Sequence, residues 1–253
     1  MNDPTSGLAE RIRGATRVTV LTGAGVSAAS GVPTFRGADG LWRQFRPEDL
    51  ATPQAFRRDP RLVWEWYSWR RETIARCEPN EAHRVLARWS QASDSVRVVT
   101  QNVDDLHVRA GTRGLVRLHG SIWELACWNG CADAPPTWRD ERVPLPEVPP
   151  TCPHCGGLAR PAVVWFGESL AEHDVAAAVE STACDLFLSL GTSSLVYPAA
   201  GLVHSARLHG AFTAEINLDE TPASGEVDLT VRGRVEEILP LIERAITGTV
   251  TDA

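Results

Sequence analysis

The chain has 253 residues, a formal charge of −7, 43% hydrophobic and 23% charged residues, and 25 basic residues that are all arginine. The composition is that of a globular protein, and the acidic balance argues against a general nucleic-acid or acidic-membrane surface. The absence of lysine excludes Walker-type, Schiff-base and kinase-type lysine chemistry.

A helix is expected over 6–14, followed by the β-branched run TRVTVLT, a strand over 17–22 that ends abruptly in Gly23-Ala24-Gly25. Gly23, Gly25 and Ala28 fit the form G-x-G-x-x-G/A, in which glycine lets the backbone approach a pyrophosphate at the start of the next helix. A plain structural turn explains the same residues. Pro33-Thr34-Phe35-Arg36-Gly37 then sets an aromatic ring and a permanent cation in a loop. Together the two stretches make a dinucleotide the first hypothesis.

Further strands are expected over 96–100, 115–118, 185–190, 211–216 and 227–231, and helices over 60–77, 81–90, 104–110, 172–182, 199–208 and 233–246. Such alternation predicts an α/β fold, a Rossmann-like doubly wound parallel sheet whose ligands lie beyond the strands' carboxyl ends. Five polar motifs fall at those ends: GAG, QNVDDLH, HG, GTSS and NLDE. Two segments interrupt the alternation, a helical, aromatic-rich one over 33–80 and a cysteine-bearing one over 120–160. They are expected to form a smaller domain over the rim, with 1–32, 81–119 and 161–253 making the sheet domain.

Four of the six cysteines form two close pairs, Cys127-x3-Cys131 and Cys152-x2-Cys155. The N-terminal MNDPTSGLAERIRGA has no apolar core before a cleavage site, and no apolar run reaches transmembrane length, so the cytoplasm is the expected location. In that setting the spacing favours a structural zinc over disulfides, with four sulfur ligands and no open position for water. Cys77 and Cys184 read as ordinary buried thiols.

In Gln101-Asn102-Val103-Asp104-Asp105-Leu106-His107, amides and carboxylates suit ribose hydroxyls or a carboxamide, while Asn102 or Asp104 equally suits helix capping. His119-Gly120 offers an imidazole at a strand end, able to move a proton near neutral pH or to be merely structural. His83 reads as a packed or capping histidine. The apolar run from Pro161 to Glu168 reads as a buried strand, or as an edge that pairs with an extended peptide.

GAGVSAASGVPTFRG, TQNVDDLH, LHG, the paired cysteines, VVWFGE, GTSS and INLDE, in this order, resemble a sirtuin from about residue 20 to 240, in particular the branch that acts on acidic acyl groups. The resemblance implies a reaction that consumes NAD and removes an acyl group from lysine on proteins or peptides; the acidic balance and the lack of a transmembrane run leave no nucleic-acid or membrane partner expected. The acyl oxygen attacks C1′ of the nicotinamide ribose, nicotinamide leaves, and the 2′-hydroxyl takes over the acyl group. By the same resemblance His119 is the base, Asn102 positions the ribose or a water, and Asp104 and Val103 line the nicotinamide pocket. Gly23, Ala24, Gly25, Ala28, Thr34, Phe35, Arg36 and Gln101 hold the cofactor. Gly191, Thr192, Ser193, Asn217, Leu218, Asp219 and Val235 take its adenosine end. Val164, Trp165, Phe166 and Gly167 bind substrate, and Cys127, Cys131, Cys152 and Cys155 hold zinc.

On the helix over 60–77, Val63, Tyr67, Arg70 and Ile74 share one face. An arginine there often snorkels out or pairs with a local acid such as Glu65 or Glu72. Tyr67-x-x-Arg70 is, however, similar to the pair in sirtuins that prefer acidic acyl groups, and a guanidinium with a phenol suits the carboxylate of succinyl, malonyl or glutaryl. Rival readings are transfer of ADP-ribose to protein, an NAD-sensing module without turnover, and a nicotinamide dehydrogenase. The last lacks the usual acid at the end of the second strand.

Overall fold

The structure, a computed structural model, describes residues 4–36 and 40–248. Gly37, the last residue of the PTFRG stretch, lies outside the described residues. Helix α1 (Pro4–Gly14) leads into β1 (Val18–Thr22), the single-turn α2 (Gly25–Ala28), the short α3 (Pro47–Leu50) and α4 (Pro53–Arg58), then α5 (Pro60–Ala75) and α6 (Glu81–Ala92). β2 (Val96–Thr100), α7 (Leu106–Ala110), β3 (Leu115–Arg117), β4 (Gly120–Cys127), β5 (Trp138–Arg139) and β6 (Ala159–Val163) follow. The chain closes with α8 (Glu172–Ser181), β7 (Leu186–Leu190), α9 (Leu202–Leu208), β8 (Phe212–Asn217), β9 (Leu229–Arg232) and α10 (Val235–Thr247).

Six strands form one sheet in the order β3-β2-β1-β7-β8-β9, every neighbouring pair parallel. This is the doubly wound arrangement expected from the alternation. VTVLT and LFLSL are buried along their whole length, as strands covered on both faces must be. One apolar core, around Val20, Leu86, Leu188 and Leu239, covers one face, and a second, around Leu21, Phe187, Leu202 and Val203, covers the other. The chain runs outward from β1 to β3, then returns to β7 on the other side. The strand order therefore reverses between β1 and β7, where such sheets leave a crevice at their carboxyl ends. Thr22 lies level with Thr100 and with Leu190, so the turns after β1, β2 and β7 leave the sheet at one height.

The smaller domain has its own core. β5-β4-β6 is an antiparallel sheet, packed with α4 and α5 around Phe56, Trp64, Trp66, Trp123 and Trp165. The strand expected over 161–168 is found as β6 over Ala159–Val163, and its long pairing with β4 was not announced by the sequence. Pro161 is tolerated within it because β6 is an edge strand, paired only with β4. The small sheet extends to Val163, three residues past the boundary expected at 160. The helix expected from 104 begins at Leu106, since Asp105 has φ 61° and breaks the entry. Among the described residues no helix is long and apolar enough to cross a membrane.

Candidate active site

A cavity of about 870 Å³ opens at the carboxyl ends of the six-stranded sheet, between it and the smaller domain. Its size falls in the range of small-molecule and cofactor sites, roughly 300–1,000 Å³. The structure brings to it Gly23, Ala24, Gly25, Ala28, Thr34, Phe35, Arg36, Gln101, Asn102, Val103 and His119. Gly191, Thr192, Ser193, Asn217, Leu218, Asp219 and Val235 line one end, and Tyr67, Arg70, Val164, Trp165, Phe166 and Gly167 another.

Asp104 is the exception among the cavity residues nominated from sequence, because it does not line the cavity. Its carboxylate is buried and caps α7, accepting from the Leu106 amide at 2.9 Å. Burial pushes that carboxyl up, while the bonds from Leu106 and Ser27 and the charge of Arg70 pull it back. The capping reading of Asp104 is realised in the Leu106 bond.

The glycines of the first turn have a second reason besides phosphate approach. A Cβ on Gly25 would lie 2.7 Å from the Gly191 carbonyl oxygen, and one on Gly23 would lie 2.7 Å from the Thr192 Cα. The GAG turn and the GTSS turn thus interlock backbone against backbone across the crevice. Side chains tie the same turns. Gln101 Nε2 donates to Thr192 Oγ1 at 2.8 Å, and Asn217 Nδ2 to the Thr192 carbonyl at 3.0 Å. Asn102 Nδ2 donates to the Gly23 carbonyl at 3.0 Å and to Ser27 Oγ at 3.2 Å, which fixes its amide and leaves its oxygen to accept. Such amides and hydroxyls suit the ribose, carboxamide and adenine edges of a dinucleotide, so the residues present fit NAD.

His119 is held through Nδ1, 3.0 Å from the Gln101 carbonyl. A carbonyl only accepts, so Nδ1 carries the proton and Nε2 is left as the basic nitrogen. Burial lowers the His119 pKa below 6.5, against the raising effect of that backbone bond. His83 is fully buried and closes the capping box of α6 with Asn80. Cys77 and Cys184 are buried thiols.

At the other end Arg70 is 5% exposed and stacks on Phe35 at 4.6 Å and Trp66 at 5.0 Å. Neither snorkelling nor pairing with Glu65 describes it. The guanidinium is buried, and Glu65 is bonded to Arg61. Among the described residues no carboxylate forms an ion pair with Arg70. Trp66 and Arg160 were not foreseen. Arg160 pairs bidentately with Glu168 and stacks on Trp165 at 3.7 Å, fixing the turn after β6. Trp66 could have been found from its place one residue before Tyr67 on an aromatic-rich helix.

Cys127, Cys131, Cys152 and Cys155 converge at the far end of the small sheet, their sulfurs all within 4.8 Å of one another. The Cys127–Cys155 and Cys131–Cys152 sulfur separations are 3.7 and 3.9 Å. Four thiolates at about 2.3 Å from a tetrahedral zinc stand roughly 3.8 Å apart, so the cluster fits that ion.

A dinucleotide cleft at the switch point of a Rossmann-like sheet, overhung by a small domain with a four-cysteine zinc site, defines an NAD-handling class of proteins. The sequence profile of the Sir2 family matches residues 23–198. An NAD-dependent protein deacylase of Aquifex aeolicus is 49% identical over 84% of this chain and 87% of its own. One from Mycobacterium tuberculosis is 46% identical over 90% and 97%. A solved Sir2 homologue in complex with NAD superposes with a TM-score of 0.89 at 40% identity, covering 98% of this chain and 95% of its own. Sir2Af2 bound to a myristoylated histone peptide superposes with a TM-score of 0.77 at 31% identity, covering 98% of each chain. The chain belongs to the Sir2 family.

Proposed function

We infer that this chain is an NAD-dependent protein-lysine deacylase, and we propose that it favours succinyl-, malonyl- or glutaryl-lysine over acetyl-lysine. The first statement rests on family membership and on relatives that carry this activity. The second rests on one observation above all: a buried guanidinium, Arg70, in the wall of the cavity, with aromatic rings beside it and no ion-pair partner among the described residues. Burying a charge is costly unless it is paired; the buried Asp104 carboxyl feels the Arg70 charge without bonding it, and an acyl carboxylate in the cavity supplies a direct partner.

NAD, when bound, supplies an activated ribosyl carbon and the ribose hydroxyls that take up the acyl group. The protein's own contribution is positional and acid–base. His119 Nε2 accepts a proton from a hydroxyl brought within reach, its ring fixed by the Gln101 carbonyl. The Asn102 oxygen accepts from a hydroxyl or a water, its amide being held by Gly23 and Ser27. Phe35 covers the reacting end and excludes water. Thr192, Ser193, Asn217, Leu218, Asp219 and Val235 take the adenosine end. The backbone from Val164 to Gly167 receives the peptide in extended form. The four cysteines hold a zinc that shapes the small domain and takes no part in the chemistry.

The test is a panel of acyl-lysine peptides, with and without NAD, read by nicotinamide release. The expected result is turnover of acidic acyl groups above acetyl. A charge-assisted bond is worth about 1.5–3 kcal/mol, so Arg70→Met is expected to cut desuccinylation by roughly 10- to 100-fold more than deacetylation. Equal losses on both substrates reject the role of Arg70. Modification of the acceptor peptide by ADP-ribose in place of deacylation would instead establish the transferase reading.

A further inference from the structure

We propose that Trp165 is a positioning residue for acyl selectivity: its indole N–H, donated to the Tyr67 oxygen, commits the Tyr67 hydroxyl to give its own proton to an acyl carboxylate in the cavity. The proposal rests on the acidic-acyl reading and adds to it a residue that touches the acyl group only through another.

Trp165 Nε1 stands 2.9 Å from the Tyr67 oxygen, and each residue is 2% exposed. The indole nitrogen is a donor only, whereas a phenol both donates and accepts. The bond therefore has one sense, with the Tyr67 oxygen accepting. The proton on that oxygen must be given elsewhere. Among the described residues no acceptor is within hydrogen-bond reach of it, and Tyr67 lines the cavity beside Arg70. Burial pushes the Tyr67 hydroxyl up to about 12, chiefly by desolvation, so the proton stays on the oxygen at any working pH. The wall thus presents the phenol proton and the guanidinium protons, all donors. A carboxylate only accepts and matches that set, while an acetyl methyl matches none of it.

The indole is itself locked. The Arg160 guanidinium lies 3.7 Å from its ring, Phe56 packs at 5.4 Å, and Glu168 accepts its backbone amide at 2.8 Å while pairing with Arg160. Trp165 also belongs to the backbone turn proposed to receive the peptide. Recognition of the peptide and of the acyl terminus accordingly meet in one side chain.

The experiment is a double-mutant cycle of Trp165→Phe and Tyr67→Phe, reading kcat/KM for a succinyl-lysine and an acetyl-lysine form of one peptide. The ratio of the two is independent of how much enzyme is folded. Losing one neutral hydrogen bond is worth a few-fold, so W165F is expected to lower the succinyl-to-acetyl ratio by about fivefold, through KM for the succinyl peptide. In the Y67F background W165F should leave the ratio unchanged, because there is no hydroxyl left to orient. A wild-type ratio well above one that W165F does not lower overturns this proposal and leaves the acidic-acyl reading standing. A fall in the ratio that persists in the Y67F background also overturns it, as the indole would then act by packing. A wild-type ratio at or below one overturns the acidic-acyl reading and this proposal with it.

Discussion

Gly25 and Gly191 shape the crevice by the side chains they lack. Each touches the other's backbone, and Gly191 also has φ 55°, a conformation costly for any other residue. Gly25→Ala forces its Cβ against the Gly191 carbonyl, and overpacking of this kind costs about 1–3 kcal/mol. The expected outcome is a lower Tm together with weaker NAD binding, read by thermal unfolding and by NAD titration. His119 carries a second prediction. Burial lowers its pKa below 6.5, so the basic form survives to lower pH than in an exposed histidine. The acid limb of kcat/KM should then fall below pH 6.5, and a limb above 6.5 would show that another group governs it. Most of these residues are legible in sequence because glycines and polar side chains collect where β-branched runs stop. Asp104 shows why such sites stay open in sequence, since a carboxylate two positions before a helix serves as a cap as readily as a ligand contact. The Trp165–Tyr67 bond joins residues 98 apart and leaves no periodic trace in the chain.

At the scale of elements, the zinc module is tied to the turn after β2. Asp105, the residue with φ 61° at the head of α7, bonds Arg139 of β5 at 2.6 Å and Ser121 of β4 at 3.0 Å. Arg71 of α5 holds the segment after β5 through the Asp140 carboxylate at 3.1 Å. Removing zinc frees four thiolates, and the small sheet loses the clamp at its end. Chelation under reducing conditions is therefore expected to weaken NAD binding as well as to release one zinc per chain, measured by metal analysis and NAD titration on the same sample. Asp105→Ala should reproduce the weaker NAD binding with zinc retained. Unchanged NAD affinity in both would separate the module from the cofactor loop. The cysteine spacing announces the ion in advance. The small sheet around it stays hidden, because its β4–β6 register pairs backbone segments more than thirty residues apart, Cys127 with Ala159 among them.

At the scale of the whole molecule, the parallel sheet is covered on both faces, and its polar residues are sealed inside with their protons fixed. His83 and His107 lie between α6, α7 and β1 with ring centroids 4.8 Å apart, each almost wholly buried. Burial pushes His83 down to about 2 and His107 down to about 4, while the unfolded chain returns both to near 6.5. Below pH 6.5 the unfolded state therefore binds protons that the folded state refuses, and stability falls with pH through both rings down to about 4 and through His83 alone below that. Asp104, its carboxyl pushed up by burial, works in the opposite sense, while His119, also lowered by burial, works in the same sense as the two rings. The slope expected between pH 6 and 5 is about 1–3 kcal/mol per pH unit. Tm should accordingly drop from pH 7 to pH 5, and His107→Gln should flatten that drop even where it lowers Tm at pH 7. A Tm that rises from pH 7 to pH 5 would place protons on these rings in the folded state. Among the described residues His107 Nδ1 is buried with no hydrogen-bond partner, so a proton added there is left unpaired.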